Sequence, residues 1–553
     1  MKLPLVLGYR IIVSLILSMM ILQPSHAFLN LFSKTETVEL DLVYSSEKQA
    51  WLNEVIPAFN RAKLGDEDKK FIVQINATPM GSGEMMHMLV ENEHQPHLVS
   101  PASNIFIELY NARAPTPIVK QAQNLVLSPI VIAMWKPMAE ALGWPDKLIG
   151  WEEIFKLANS KQGWGEFGHP EWGRFKFGHT HPEYSNSGII SVLAEAYAGA
   201  GKNRVLKMKD VEKTKTQEFI KVIEQSVIHY GRSTGFFSRK LFNHGSDLLS
   251  AVVLYENMVI ESYASKYELE QPVVAIYPKE GTFWSDHPIG IVERDWVEPK
   301  HRAAAQIFIN YLLAKEQQNK AQTYGLRPAN LDIPLQAPFD AAHGVDPKQP
   351  QTILPIPQAK VIEKLLSIWK TNKKNADIVL VFDISGSMKG EDKIQFARTG
   401  ALELLEMLKE NDTFSLLLFN HEFNWLGQQQ SLDKKRLSFQ QIIHNIRSSG
   451  GTALYDAIDE AYAYLDKNMR EDSISAIVVL SDGADGHSKN ASLQTLLEKI
   501  KQSDKSIGIY PIAYGKGAEI SILKQIATQT YSKAYSAETT DIGVVFQDIA
   551  TFF

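Results

Sequence analysis

Four apolar runs in the last third of the chain limit what it can fold into: "DIVLVF" at 377–382, "TFSLLLF" at 413–419, "ISAIVVL" at 474–480 and "SIGIYPIAY" at 506–514. Their apolar residues occupy consecutive positions, as strands covered on both faces must. Helical patterns lie between and after them, at 393–409, 453–467, 492–502 and 519–529. Strands alternating with amphipathic helices predict a doubly wound, mostly parallel α/β sheet. Ligands of such sheets bind beyond the carboxyl ends of the strands.

The first run ends in three oxygen-bearing side chains. In "IVLVFDISGSMKG", Asp383, Ser385 and Ser387 follow the strand at alternate positions. One carboxylate and two hydroxyls are hard ligands, suited to magnesium or manganese and poor for zinc or copper. Two further stretches add to them. "SSGGTALYDAI" puts Thr452 after a glycine pair, and "IVVLSDGADG" puts Asp482 just past another buried strand. Strand caps and turn serines use the same residue types, but they do not explain the joint occurrence. Over residues 373–553 the set resembles the metal-ion-dependent adhesion site of von Willebrand factor type A domains. The resemblance implies that Asp383, Ser385, Ser387 and Thr452 are metal ligands and that Asp482 is the second acidic position, often acting through water. It implies Mg2+ or Mn2+ as cofactor, with a coordination position left for an acidic side chain of a partner protein.

Residues 38–335 also alternate. "VELDLVY" reads as a strand, "SEKQAWLNEVIPAFNRA" as an amphipathic helix and "KFIVQIN" as a strand. The Pro-rich stretch "DPKQPQTILPIPQAK" then marks a boundary, and Val361, Ile362, Leu365, Leu366 and Trp369 recur at helical spacing. The expected division is a linker and connector helix over 336–372, then the second module over 373–553. In the first module, "SPIVIAMWKPMAEALGWP", "FKFGHTHPEYSNSGIISVLAEAYAGAG", "VIESYASKY" and "AAAQIFINYLLAKEQQNKAQTYGLRP" resemble bacterial extracellular solute-binding proteins of the two-lobed, periplasmic-binding-protein-like type. The resemblance implies closure of two α/β lobes around a small polar or anionic solute. Hydroxyl candidates for that pocket are Ser45, Ser46, Ser82, Ser100, Ser103, Ser185, Ser187 and Tyr263. Serine before a helix is also a common cap.

Composition removes several functions. The formal net charge is -6, with no basic stripe to neutralise phosphates, so nucleic acid is not an expected partner. The absence of cysteine closes disulfides, thiolate metal sites and a lipidated cysteine at a mature N-terminus. Lys2, Arg10, the run "IIVSLILSMMIL" and "QPSHA" read as a signal peptide over 1–27, with Ser25 and Ala27 at the cleavage site. The competing reading is an uncleaved anchor. No later segment approaches a membrane span, which predicts a bacterial protein exported to the periplasm or cell surface.

Three catalytic or metal motifs are read blandly. The H-x-H of His179 and His181, together with Met85, Met86, His87 and Met88 and with His94 and His97 downstream, could suggest copper or zinc, but reads as surface histidines and an amphipathic helix with polarizable core filler. "GRSTG" at 231–235 fits the G-x-S-x-G pattern, but that motif needs a preceding strand and "FIKVIEQSVIHY" reads as helix. No P-loop pattern occurs. The chain is therefore expected to be a non-enzymatic binding protein that combines a solute module with metal-dependent protein binding. The alternative is a receptor of an ABC-type transporter with a docking accessory; a chelatase-like or proteolytic enzyme comes last. Because the strand at 377–382 runs toward Asp383 and the connector arrives at its start, the metal site is expected to face away from the first module.

Overall fold

The structure, a computed structural model, describes residues 35–553 apart from 69, 92, 93, 232, 471, 504, 516, 539 and 540. The expected signal peptide at 1–27 lies outside the described residues. Among the described residues the main strands form three sheets. The first runs Phe71–Met80, Glu36–Ser45, Leu98–Ser100, Pro288–Ile291, Ala122–Asn124, parallel up to Leu98–Ser100 and antiparallel beyond. The second is built around the long strand Val126–Trp135, which pairs antiparallel with Ala251–Tyr255, Val273–Ile276, Trp284–Ser285 and Arg327–Pro328. The chain crosses between these sheets next to Asn124 and again between Ser285 and Pro288, which makes two lobes with strand-like hinges.

The third sheet has six strands, parallel except for the hairpin Thr413–Phe419 and Phe423–Ser431. Numbered along the chain within the sheet, its order is 3-2-1-4-5-6, with Asn375–Asp383 as strand 1 and Ser473–Ser481 as strand 4. The order reverses between those two strands, so the crevice for a ligand opens at their carboxyl ends. Residues of strand 1 alternate between two cores. Leu380 and Phe382 belong to the core that includes Ala397, Leu404 and Phe546 on one face, whereas Val379 and Val381 belong to the core that includes Leu454, Ile458 and Ile526 on the other. Covering on both faces is why the apolar residues are consecutive. Among the described residues no helix is long and apolar enough to cross a membrane.

One expectation fails. "FIKVIEQSVIHY" is not one helix: the helix Thr214–Glu224 ends, and Val227–Gly231 is a strand paired in parallel with Phe177–Thr180. Ser226 stops the helix by donating its hydroxyl to the Ile223 carbonyl at 2.7 Å, and buried Val227 and Tyr230 then fit a sheet interior.

The connector helix Ala359–Asn372 packs its apolar face on the second lobe. Trp369 is fully buried, its ring set edgewise to Tyr230 at 5.3 Å and to His181 at 4.7 Å. Its indole N–H donates to Glu224 at 3.0 Å. The last helix, Ile542–Ala550, returns the chain to the same place, where Phe552 accepts a backbone bond from Tyr230 at 3.2 Å and stacks edgewise on Phe236. Both contacts lie at the start of strand 1, opposite Asp383. We expect Trp369→Ala to cost about 3–5 kcal/mol in urea unfolding, and Leu148→Ala, at 67% exposure, to cost less than about 0.5 kcal/mol. Equal effects would show that the junction carries no stability.

Candidate metal centre

Asp383, Ser385, Ser387 and Asp482 share one hydrogen-bonded cluster beyond strands 1 and 4. Asp383 Oδ1 accepts from the Ser385 backbone N–H at 2.7 Å, an Asx-type turn that folds the chain back at the strand end. Its Oδ2 accepts from the Ser481 hydroxyl at 2.7 Å. Asp482 Oδ1 accepts from Ser387 at 2.6 Å, and the two serine hydroxyls lie 3.0 Å apart. Asp383, Ser385 and Asp482 are buried while Ser387 is exposed, so the cluster opens to solvent at one side.

Thr452 is brought in by the glycine pair. Gly450 has φ +87°, a left-handed turn that favours glycine, and a side chain on Gly451 would strike the His487 ring. The carbonyl of Thr452 accepts from the N–H groups of Gly486 and His487, both at 3.0 Å, and its hydroxyl lies beside Gly483, next to Asp482. The five candidate residues therefore come from three loops that meet at one crevice.

The charge balance is uneven. Asp482 Oδ2 pairs with the Lys393 ammonium at 2.8 Å. Asp383 pairs with no cation among the described residues. Burial pushes its carboxyl up to about 6, opposed by the bonds from Ser385 and Ser481 and reinforced by Asp482. A set of hard oxygens holding one carboxylate in need of positive charge fits a divalent cation. Ser481 and Lys393 were not singled out from sequence; Ser481 was legible in the "SDG" turn, whereas nothing local marks Lys393.

The solute candidates divide into two groups. Ser45 Oγ lies between the Glu47 carboxylate and the Lys48 ammonium, and Ser46 Oγ accepts from the Gly235 N–H of the other lobe at 3.1 Å. Ser185 and Ser187 bond Thr234 at 3.2 and 2.8 Å. Ser82 accepts from the Ala102 N–H at 2.9 Å, Ser103 caps the helix Asn104–Arg113, and the buried Ser100 hydroxyl has no hydrogen bond among the described residues. These seven gather where the lobes meet. Tyr263 does not: its hydroxyl donates to the Val273 carbonyl at 2.9 Å and its ring faces His343.

At the centre of the interlobe contact lies a buried pair that was not anticipated, Glu47 and Lys48. Lys48 donates to the Ser100 carbonyl at 3.0 Å, and His287 Nδ1 approaches Glu47 at 3.1 Å. Burial pushes Glu47 upward, but the Lys48 ammonium and His287 outweigh it and bring the carboxyl to about 2. Burial brings Lys48 down to about 8 against the pull of Glu47. The signal in the sequence was the charge pair after the two serines in "SSEK".

Two bland readings need correction. His179 and His181 are buried, not on the surface: His179 lies within the fully buried strand Phe177–Thr180, and His181, just after it, packs against Trp369. Ser233 does follow a strand, but its backbone is extended at φ -141° and its hydroxyl accepts from the Phe236 N–H, so it caps a helix without a strained elbow. The histidine of that strand, His229, bonds Lys240 at 2.6 Å instead.

A sequence model of the bacterial extracellular solute-binding protein family matches residues 40–327, and one of the von Willebrand factor type A domain matches 377–549. An uncharacterized protein of Synechocystis sp. is 26% identical over 151 residues, 27% of this chain and 35% of its own. Inter-alpha-trypsin inhibitor heavy chain H4 of Homo sapiens is 28% identical over 186 residues, 31% of this chain and 19% of its own. The chain thus spans about a third or less of the length of these curated relatives. Among solved structures, a von Willebrand factor type A protein from Catenulispora acidiphila shares 18% identity, with a TM-score of 0.30, over 32% of this chain and 42% of that one. A periplasmic binding protein from Actinobacillus pleuropneumoniae shares 12%, with a TM-score of 0.42, over 60% of this chain and 98% of that one.

The raised Asp383 carboxyl makes a prediction with a definite sign. A group held near 6 instead of 3.8 binds its proton more tightly folded than unfolded. Its contribution to stability is complete below the unfolded value and is lost as pH rises through 6. In EDTA, Asp383→Asn should therefore be more stable than wild type at pH 7.5, on the order of 2 kcal/mol, and the gap should shrink at pH 5. Thermal unfolding of both proteins at the two pH values checks it; a constant gap would contradict it.

Proposed function

This chain belongs to the bacterial extracellular solute-binding protein family and carries a von Willebrand factor type A domain behind that module; from that premise we propose an exported binding protein with two separate sites. The proposed division is a signal peptide over 1–27, a solute module over 38–335, a linker and connector over 336–372 and the type A domain over 373–553. In this reading Asp383, Ser385, Ser387, Thr452 and Asp482 hold Mg2+ or Mn2+, directly or through water. The bound ion supplies a positive centre with a position left for an oxygen from outside. An acidic side chain of a protein partner fills that position, and Ser387, on the exposed side, marks where it approaches.

The observation that carries the reading is the convergence of these hard oxygens around a buried carboxylate that lacks a cation, at the sheet end opposite the first module. The contacts of the second module with residues 35–335 include Phe552 on Tyr230 and Phe236, Lys373 over the Tyr230 ring, and Tyr531 against His244. The partner's approach is therefore not obstructed by the first module. In the interlobe contact, the hydroxyls of Ser45, Ser46, Ser185 and Ser187 favour a small polar solute, while the Lys48 ammonium there is balanced by the Glu47 carboxylate. Both modules are of a binding type, and the reading assigns no catalysis. The family match over 40–327 also favours a second reading, delivery of solute to a membrane permease with the type A domain as a docking accessory. Loss of solute uptake in a deletion strain would select it.

Titration calorimetry of the full chain with MgCl2 and MnCl2 tests the metal assignment. Asp383→Ala should lower the affinity by at least about 100-fold, and Thr452→Ala by about 10-fold or more, with thermal unfolding of the first module unchanged. Unchanged affinity in both variants would remove the assignment.

A further inference from the structure

His179, Glu195 and Glu224 meet in the interior of the first module, on the side that faces the connector. They come from three elements: the strand Phe177–Thr180, the helix Asn186–Ala200 and the end of the helix Thr214–Glu224. All three side chains are fully buried, and one ligating atom of each lies within 4.8 Å of the others. None belongs to the interlobe contact or to the strand-end cluster.

Each is held by an outer partner. His179 Nδ1 lies 2.8 Å from the Thr180 carbonyl, which can only accept, so this nitrogen carries hydrogen and donates. Nε2 consequently faces the carboxylates, 3.0 Å from Glu224 Oε1. Glu224 Oε2 accepts from the Tyr230 hydroxyl at 2.6 Å and the Trp369 indole at 3.0 Å. Glu195 Oε1 accepts from Ser191 at 2.9 Å, but its Oε2, equally buried, receives no hydrogen bond among the described residues, and the carboxyl faces Glu224. A histidine whose second nitrogen is fixed by a carbonyl, facing two anchored carboxylates, is the pattern that outer partners impose on metal ligands.

Charge points the same way. Among the described residues no lysine or arginine bonds Glu195 or Glu224; Lys373 and Lys409 act on Glu224 from a distance and bond backbone carbonyls. Two carboxylates in a dry interior without a cation are costly. Without an ion, burial and the facing Glu224 push the Glu195 carboxyl well above its ordinary range, so that it holds a proton toward Glu224. A single divalent ion meets all three and balances both carboxylates.

We propose that His179, Glu195 and Glu224 form a buried structural site for one borderline divalent ion, zinc by donor chemistry. One imidazole nitrogen and two carboxylate oxygens suit zinc, with bonds of about 2.0–2.2 Å, while the strand-end cluster of hydroxyls and carboxylates suits magnesium. The ion fixes Glu224 and thereby the acceptor that receives Trp369 of the connector.

The test uses the untagged full chain carrying Asp383→Ala, so that the strand-end site does not contribute, grown with added zinc and desalted. Inductively coupled plasma mass spectrometry should find about one equivalent of zinc per chain. Adding Glu195→Gln or His179→Ala should reduce it to less than about a tenth. A folded Asp383→Ala protein without zinc would overturn the proposal and assign a shared proton to the carboxyl pair. Full zinc content after Glu195→Gln would overturn it as well. Should the double variants fail to fold, zinc-edge absorption on the Asp383→Ala protein decides: nitrogen and oxygen neighbours that include one imidazole support the site, and their absence refutes it.

Discussion

The direction in which strand Asn375–Asp383 leaves the connector governs the rest of this molecule. Trp369 pins the connector to the second lobe through its ring contacts and its bond to Glu224. Six residues later the chain enters the centre of the third sheet, and it can run only away from that anchor. Its far end therefore delivers Asp383 to the surface opposite the first module. The carboxyl-terminal residues close the arrangement, because Phe552 and Phe553 return to Tyr230 and to Tyr510 at the near edge. One apolar core runs from the second lobe through the connector into one face of the third sheet. A shift of the last helix would act on the first module through these contacts, which gives the two sites a physical route for coupling.

Legibility in the sequence followed burial. Strands covered on both faces announce themselves as consecutive apolar runs, and all four in the last third stand as sheet strands. The candidate metal residues were legible because each follows a strand end or a glycine pair, and in a doubly wound sheet those places converge. What misled was a junction. "FIKVIEQSVIHY" keeps an apolar rhythm across a helix end and a strand start, and only Ser226 separates them. Reading it as one helix gave the wrong reason for setting aside Ser233, whose extended backbone and capping bond supply the right one.

Charged groups inside the first module were the least legible. Glu195 sits in "NSGIISVLAEAYAGA", a helix buried on nearly every side, where an ionisable residue is conspicuous only once the burial is known. Glu47 and Lys48 look like an exposed first turn, yet they lie where the lobes touch. Periodicity indicates which face of an element is apolar, but not which polar groups from distant segments will meet in a dry interior. His179 and Glu224 are 45 residues apart, and nothing local to either one names the other.

The central claim is that the strand-end cluster is a cation site facing outward. Anomalous scattering from crystals grown with manganese measures it most directly. A peak is expected about 2.0–2.3 Å from the Ser385 and Ser387 hydroxyls, with Asp383 and Asp482 as neighbours directly or through water, open to solvent and far from residues 35–335. Occupied manganese sites elsewhere in the crystal with no peak at this cluster, or a peak buried against the first module, would contradict it.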